Sequence, residues 1–108
     1  MCARGNLGRL NRNGMEACRK GQFKDAELQL LTALELARTQ GIKCTEIKIH
    51  NNLGIVYELQ GHPEKALHHY RNALDLVKEK AAANHPLSIR ITQSLARVGM
   101  TCPPPAQP

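Results

Sequence analysis

The chain matches itself when displaced by 40 residues, and this constrains its fold more than any other feature. At that shift Asn11 meets Asn51, Gly14 meets Gly54 and Gly21 meets Gly61. Ala26 meets Ala66, Ala33 meets Ala73, Leu34 meets Leu74 and Leu36 meets Leu76. A shift of 42 joins the middle to the end, setting Ile47, Ile49, Leu53 and Val56 over Ile89, Ile91, Leu95 and Val98. Self-similarity at such a period means stacked supersecondary units, each too small to bury its own apolar face alone. Two copies are complete and the third keeps only its first helix.

Within a unit the apolar pattern is helical. Ala66, Leu67, Tyr70, Ala73, Leu74 and Val77 step by three and four, one stripe of a helix. Ala26, Leu30, Ala33, Leu34 and Ala37 repeat the stripe, and Leu28, Leu31 and Leu36 widen it. A helix apolar over so much of its circumference lies between neighbours. The segment 46–60 is ambiguous, since Glu46 to Asn52 alternates like a strand and carries β-branched Ile47 and Ile49. The repeat decides for helix, because a unit with one long helix needs a second to cover it. Gly21, Gly41 and Gly61 punctuate the pattern as helix-terminating glycines. Pro63 and Pro86 stand where a helix opens. Five helices follow, at about 7–19, 23–40, 43–60, 63–82 and 86–99. The expected class is all-α, an α-α superhelix of two and a half hairpins over residues 7–100, between a flexible 1–6 and a disordered Pro-rich tail 101–108.

Composition narrows function by exclusion. The four cysteines, at 2, 18, 44 and 102, form no CxxC pair. Their spacing suits free thiols in a reducing compartment. The first residues carry no apolar signal core, and no run approaches the roughly 20 residues of a membrane span. A cytoplasmic protein with no membrane contact is expected. No phosphate-cradling loop or nucleophile elbow is present, and Ser88 and Ser94 have no base at helical spacing. An enzyme is therefore not expected. His62, His68 and His69 are six and one apart, poor spacing for metal ligands on one helix, and read as solvated surface residues. No metal or other cofactor is expected. The net charge of +6 favours acidic partners. Nucleic acid is a disfavoured one, for want of an aromatic stacking platform or a groove-reading motif.

Residues 51–74, NNLGIVYELQGHPEKALHHYRNAL, closely resemble a tetratricopeptide repeat, through Leu53-Gly54, Tyr57, Gly61, Ala66, Tyr70 and Ala73. The first unit matches at Gly14, Ala17, Gly21, Ala26 and Ala33, and departs at Asn13 and Leu30. The third matches at Leu95-Ala96 and departs at Gly99. The 40 to 42 spacing is similar to the long-helix variety carried by kinesin light chains and Pins-type adaptors. The resemblance implies a module that binds a protein or peptide on a concave face built from the first helix of each unit. The implied positions are Asn11, Met15, Cys18 and Arg19; Lys48, Asn51, Asn52, Ile55, Glu58 and Leu59; and Arg90, Gln93, Ser94 and Arg97. Amides there suit an extended peptide backbone, and Lys48, Arg90 and Arg97 suit acidic side chains. The carboxylate clamp of chaperone-binding members is matched only by Asn52 and Arg90, and that role is disfavoured. Exposure of Leu10, Ile89 and Leu95 on the end helices leaves homo-oligomerisation as the alternative.

Overall fold

Three glycines with left-handed backbone set the architecture: Gly21 (φ 79°), Gly41 (φ 69°) and Gly61 (φ 84°). Each stops one helix by the same pair of hydrogen bonds. Gln22 N–H donates to the Ala17 carbonyl at 2.9 Å and Gly21 N–H to Cys18 at 3.0 Å. Ile42 and Gly41 repeat this with Ala37 and Arg38, and His62 and Gly61 with Tyr57 and Glu58. The residue after each glycine then accepts the first bond of the next helix: Ala26 N–H to Gln22, Glu46 to Ile42, Ala66 to His62. One residue thus closes a helix and opens the next, so successive helices run antiparallel.

The computed structural model describes residues 3–80 and 86–101, with side chains over 6–79 and 89–98. Its helices are α1 (Ala3–Arg19), α2 (Phe23–Gln40), α3 (Lys43–Gln60), α4 (Pro63–Lys80) and α5 (Pro86–Thr101). Consecutive helices pack on each other, α1 also touches α3, and no strand occurs among the described residues. The all-α stack of two hairpins and a fifth helix is as expected. Helix ends differ in places. α1 begins at Ala3 rather than residue 7, so the first helix is longer than expected at its start. Leu7, only 2% exposed, belongs to the core, and its burial holds a first turn that Gly5 and Gly8 weaken. α5 runs two residues past 99, to Thr101. Residues 81–82 and the tail from 102 lie outside the described residues.

α3 is the central helix, buried on most of its circumference by α1, α2 and α4. That explains the ambiguous pattern of 46–60: with neighbours on several sides, no single apolar stripe is required. The hairpin seams are set by small residues against large ones. A Cβ added at Gly54 would lie 2.5 Å from Cε1 of the Tyr70 ring, and one at Gly14 2.8 Å from Leu30 Cγ. Tyr70 is fully buried, with Ala66 and Ala73 on its own helix also buried. The ring therefore has nowhere to go.

Gly54→Ala is expected to destabilise by roughly 1–3 kcal/mol, since overpacking outweighs the gain of about 1 kcal/mol in helix propensity. Gly8→Ala, whose new Cβ meets only Arg12 Nη1 at an ordinary 3.5 Å, is expected to stabilise by about 0.5–1 kcal/mol. Urea unfolding of both variants checks the contrast; a neutral or stabilised Gly54→Ala would refute the seam.

Candidate interaction surface

The first helices of the two complete units meet along one polar line. Asn52 Nδ2 of α3 donates to Asn11 Oδ1 of α1 at 2.7 Å, both amides being half-buried. Beside this bond lies a cleft of about 700 Å³, bounded by α1, the α2–α3 turn and the start of α3. Its polar and charged lining includes Asn11, Arg12, Lys43, Thr45 and Lys48, and no carboxylate. A shallower depression of about 430 Å³ continues along α1 past Met15 to Arg19. The expected residues Asn11, Met15, Arg19, Lys48 and Asn52 are thus brought onto one side of the stack.

The expected residues differ in how far they are free. Asn51 is buried, 8% exposed, with Oδ1 unpartnered among the described residues, so it forms no groove wall. Ile55 and Met15 are half-buried against the core. Leu59 is 60% exposed, and Arg90 and Gln93 are exposed on α5. Arg19 is ion-paired with Glu16 one turn away on α1. Cys18 and Ser94 are buried. Burial pushes the Cys18 thiol up, which opposes thiolate formation.

Glu58 and Arg97 hold each other. Arg97 Nε donates to Glu58 Oε2 at 2.8 Å and Nη2 to Oε1 at 2.9 Å. The buried Tyr70 hydroxyl donates to the same Oε1 at 2.9 Å. This bidentate pair fastens α5 to α3 and α4. The Arg97 hydrogen bond holds the Glu58 carboxyl below its ordinary 4.5, against the opposing effect of burial, with the Tyr70 bond helping. Burial first, and then the bond to Glu58, pushes the Tyr70 hydroxyl up. A second tie joins the units on the other side, where Tyr57 donates to Glu27 of α2 at 2.6 Å.

Several lining residues carried no signal in the sequence. Arg12, Lys43 and the exposed Cys44 reach the cleft because α1 packs against the start of α3, a relation only the fold supplies. Of the histidines, His62 and His68 are exposed as expected, but His69 is half-buried, turned inward against His50 of α3. Of the expected exposed apolar residues, Leu10 and Leu95 pack on the core, and only Ile89 is open, at 49%. No helix among the described residues is long and apolar enough to cross a membrane.

A family model described as tetratricopeptide repeat matches residues 7–79 and again 45–98. The chain belongs to the tetratricopeptide repeat family. The two overlapping matches cover both complete hairpins and carry the second onto α5, as the 40- and 42-residue shifts require. Comparison with curated proteins found no match. Tetratricopeptide repeats are in general protein–protein interaction modules and typically non-catalytic scaffolds. In this member the Gly54–Tyr70 seam, the Asn11–Asn52 bond and the Glu58–Arg97 pair are what shape the surface.

Arg97→Met and Glu58→Gln are each expected to cost about 1 kcal/mol, the value of a well-formed but partly exposed pair. The double variant should cost little more than either alone, a coupling that urea unfolding reads directly. The folded state depresses the Glu58 pKa, so its contribution is present above pH 4.5 and lost as pH falls below it. Strictly additive losses would refute the pairing.

Proposed function

We propose that this chain is a non-catalytic adaptor that holds an extended acidic segment of a partner protein along α1 and α3, with α5 at the far end. The observation that carries this is the cleft beside Asn11 and Asn52, where Arg12, Lys43 and Lys48 gather with no carboxylate in the lining. Lys43 is 3.8 Å from Glu46, a loose contact that leaves its charge largely available. Asparagine amides satisfy peptide N–H and C=O groups, and the surrounding cations select acidic side chains. Asn11, Met15, Lys48 and Asn52 are the central contacts in this reading, and Arg90 and Gln93 continue it on α5. Glu58 and Arg97 support α5 rather than touch the partner. Helices of 18 residues and the long repeat favour the long-helix variety, similar to kinesin light chain and Pins-type repeats. The reading places the protein in the cytoplasm, where widely spaced thiols stay reduced.

A second reading, self-association through α5, is favoured by the exposure of Ile89. Sedimentation distinguishes it: a concentration-dependent dimer abolished by Ile89→Lys supports it, and a monomer at high concentration removes it.

Charge reversal at the cleft tests the main reading. Against a displayed peptide library, the wild-type chain is expected to enrich acidic segments. Arg12→Glu with Lys48→Glu should weaken the enriched peptides by at least about tenfold and flatten their salt dependence. Enrichment without acidic bias, or binding indifferent to both substitutions, would end the proposal.

A further inference from the structure

The junction of α2, α3 and α4 encloses two histidines in direct contact. His50 of α3 is 2% exposed, and its Nδ1 lies 3.1 Å from Nδ1 of His69 on α4. Two imidazole nitrogens at that distance are hydrogen-bonded only when one carries a hydrogen and the other a lone pair. On the far side of the His50 ring, Nε2 is 4.0 Å from Glu46 Oε2. That carboxylate favours hydrogen on His50 Nε2, leaving His50 Nδ1 to accept and His69 Nδ1–H to donate. The His69 ring stacks on Tyr57, centroids 5.4 Å apart, and His68 stands edge-on to it at 5.2 Å.

Charged and titratable groups surround the pair from every packed helix. α2 contributes Arg38 and Glu27; Arg38 Nε is 3.5 Å from Glu46 Oε2, and Glu27 accepts from the Tyr57 hydroxyl. α3 contributes Glu46 and Tyr57. α4 contributes His68, and Lys65, whose Nζ lies 5.5 Å from the Tyr57 ring centroid. Part of the Glu46 charge is directed to Arg38, so it compensates only partly for a charge on His50.

We propose that the His50–His69 pair is an acid-sensitive latch, tying α3 to α4 when both rings are neutral and loosening the α2–α3–α4 junction when they are protonated. A first proton leaves a single hydrogen between the rings but places a cation where burial, Arg38 and His68 all oppose it. A second puts hydrogen on both Nδ1 atoms, and the contact breaks. Both imidazoles are accordingly held far below their ordinary 6.5, at about 4, with burial the largest cause. In the unfolded chain each histidine takes its proton as pH falls through 6.5, while the folded pair resists until about 4. Between those values the unfolded state binds more protons, so stability falls as pH falls. Each ring shifts the folding equilibrium by at most about tenfold per pH unit, less for the half-exposed His69. Glu58 and Glu16, held below 4.5, overlap only the acid end of this window. Lys48 and Asn52 share α3 with His50, so the cleft wall is built on the latched helix. The latch itself is measured without any partner and stands apart from the adaptor reading.

The test uses the full chain. Imidazole resonances followed by NMR from about pH 7.5 to about pH 5 are expected to show two histidines that do not titrate while the protein stays folded. The urea midpoint of the wild type is expected to drop over the same range, and His50→Phe with His69→Phe to reduce that drop by at least about half. His50 and His69 titrating near 6.5 in the folded chain, or an equal drop in the variant, would overturn the proposal. If the variant does not fold, the wild-type titration decides by itself.

Discussion

The hairpins close because a missing side chain stands opposite a large one. Gly54 receives the Tyr70 ring and Gly14 receives Leu30, at positions the 40-residue shift superposes. Close approach of this kind lets the surrounding alanines, Ala26, Ala33, Ala66 and Ala73, be buried completely. A core so poor in aromatics depends on such proximity, because Ala and Leu make enough contacts only when backbones are near. Tyr70 then does two things at once: its ring fills the seam and its hydroxyl reaches Glu58.

From that seam outward, the chain divides its labour between apolar and polar contacts. Within a hairpin, the small-against-large fit dominates. Between units, side-chain hydrogen bonds recur: Asn52 to Asn11, Tyr57 to Glu27, Arg97 to Glu58. Apolar surface is non-directional and would tolerate several stacking angles, whereas amide and carboxylate geometry is specific. The polar ties therefore act on how one unit sits on the next. The three glycine turns support this by closing α1, α2 and α3 with the same pair of bonds, within a unit and between units alike.

Helices and turns were legible in the sequence because repetition multiplies a weak signal. One glycine is ambiguous; Gly21 and Gly61 at equivalent places are not. Where the repeat is silent, legibility fails. Gly5 and Gly8 argue against helix locally, and the burial of Leu7 offsets them. The candidate surface was partly legible. Asn11 and Asn52, read from the repeat as neighbours on the first helices, are bonded to each other, but register does not tell whether a charged residue faces a partner or a neighbouring helix. Arg97 looked like a free cation and is half of an internal pair. Asn51, beside Asn52, points into the protein because α3 has neighbours on most sides. His69 looked like a surface histidine beside His68, yet adjacent residues on a helix diverge by about 100°, enough to put one in solvent and one against His50.

The bond between Asn11 and Asn52 joins two uncharged amides. It neither titrates nor weakens as counterions accumulate, unlike the attraction exerted by Arg12 and Lys48 nearby. Contour and charge are therefore separable in this region: dissolved salt dims the field of these cations while the amide contact beside them keeps its form.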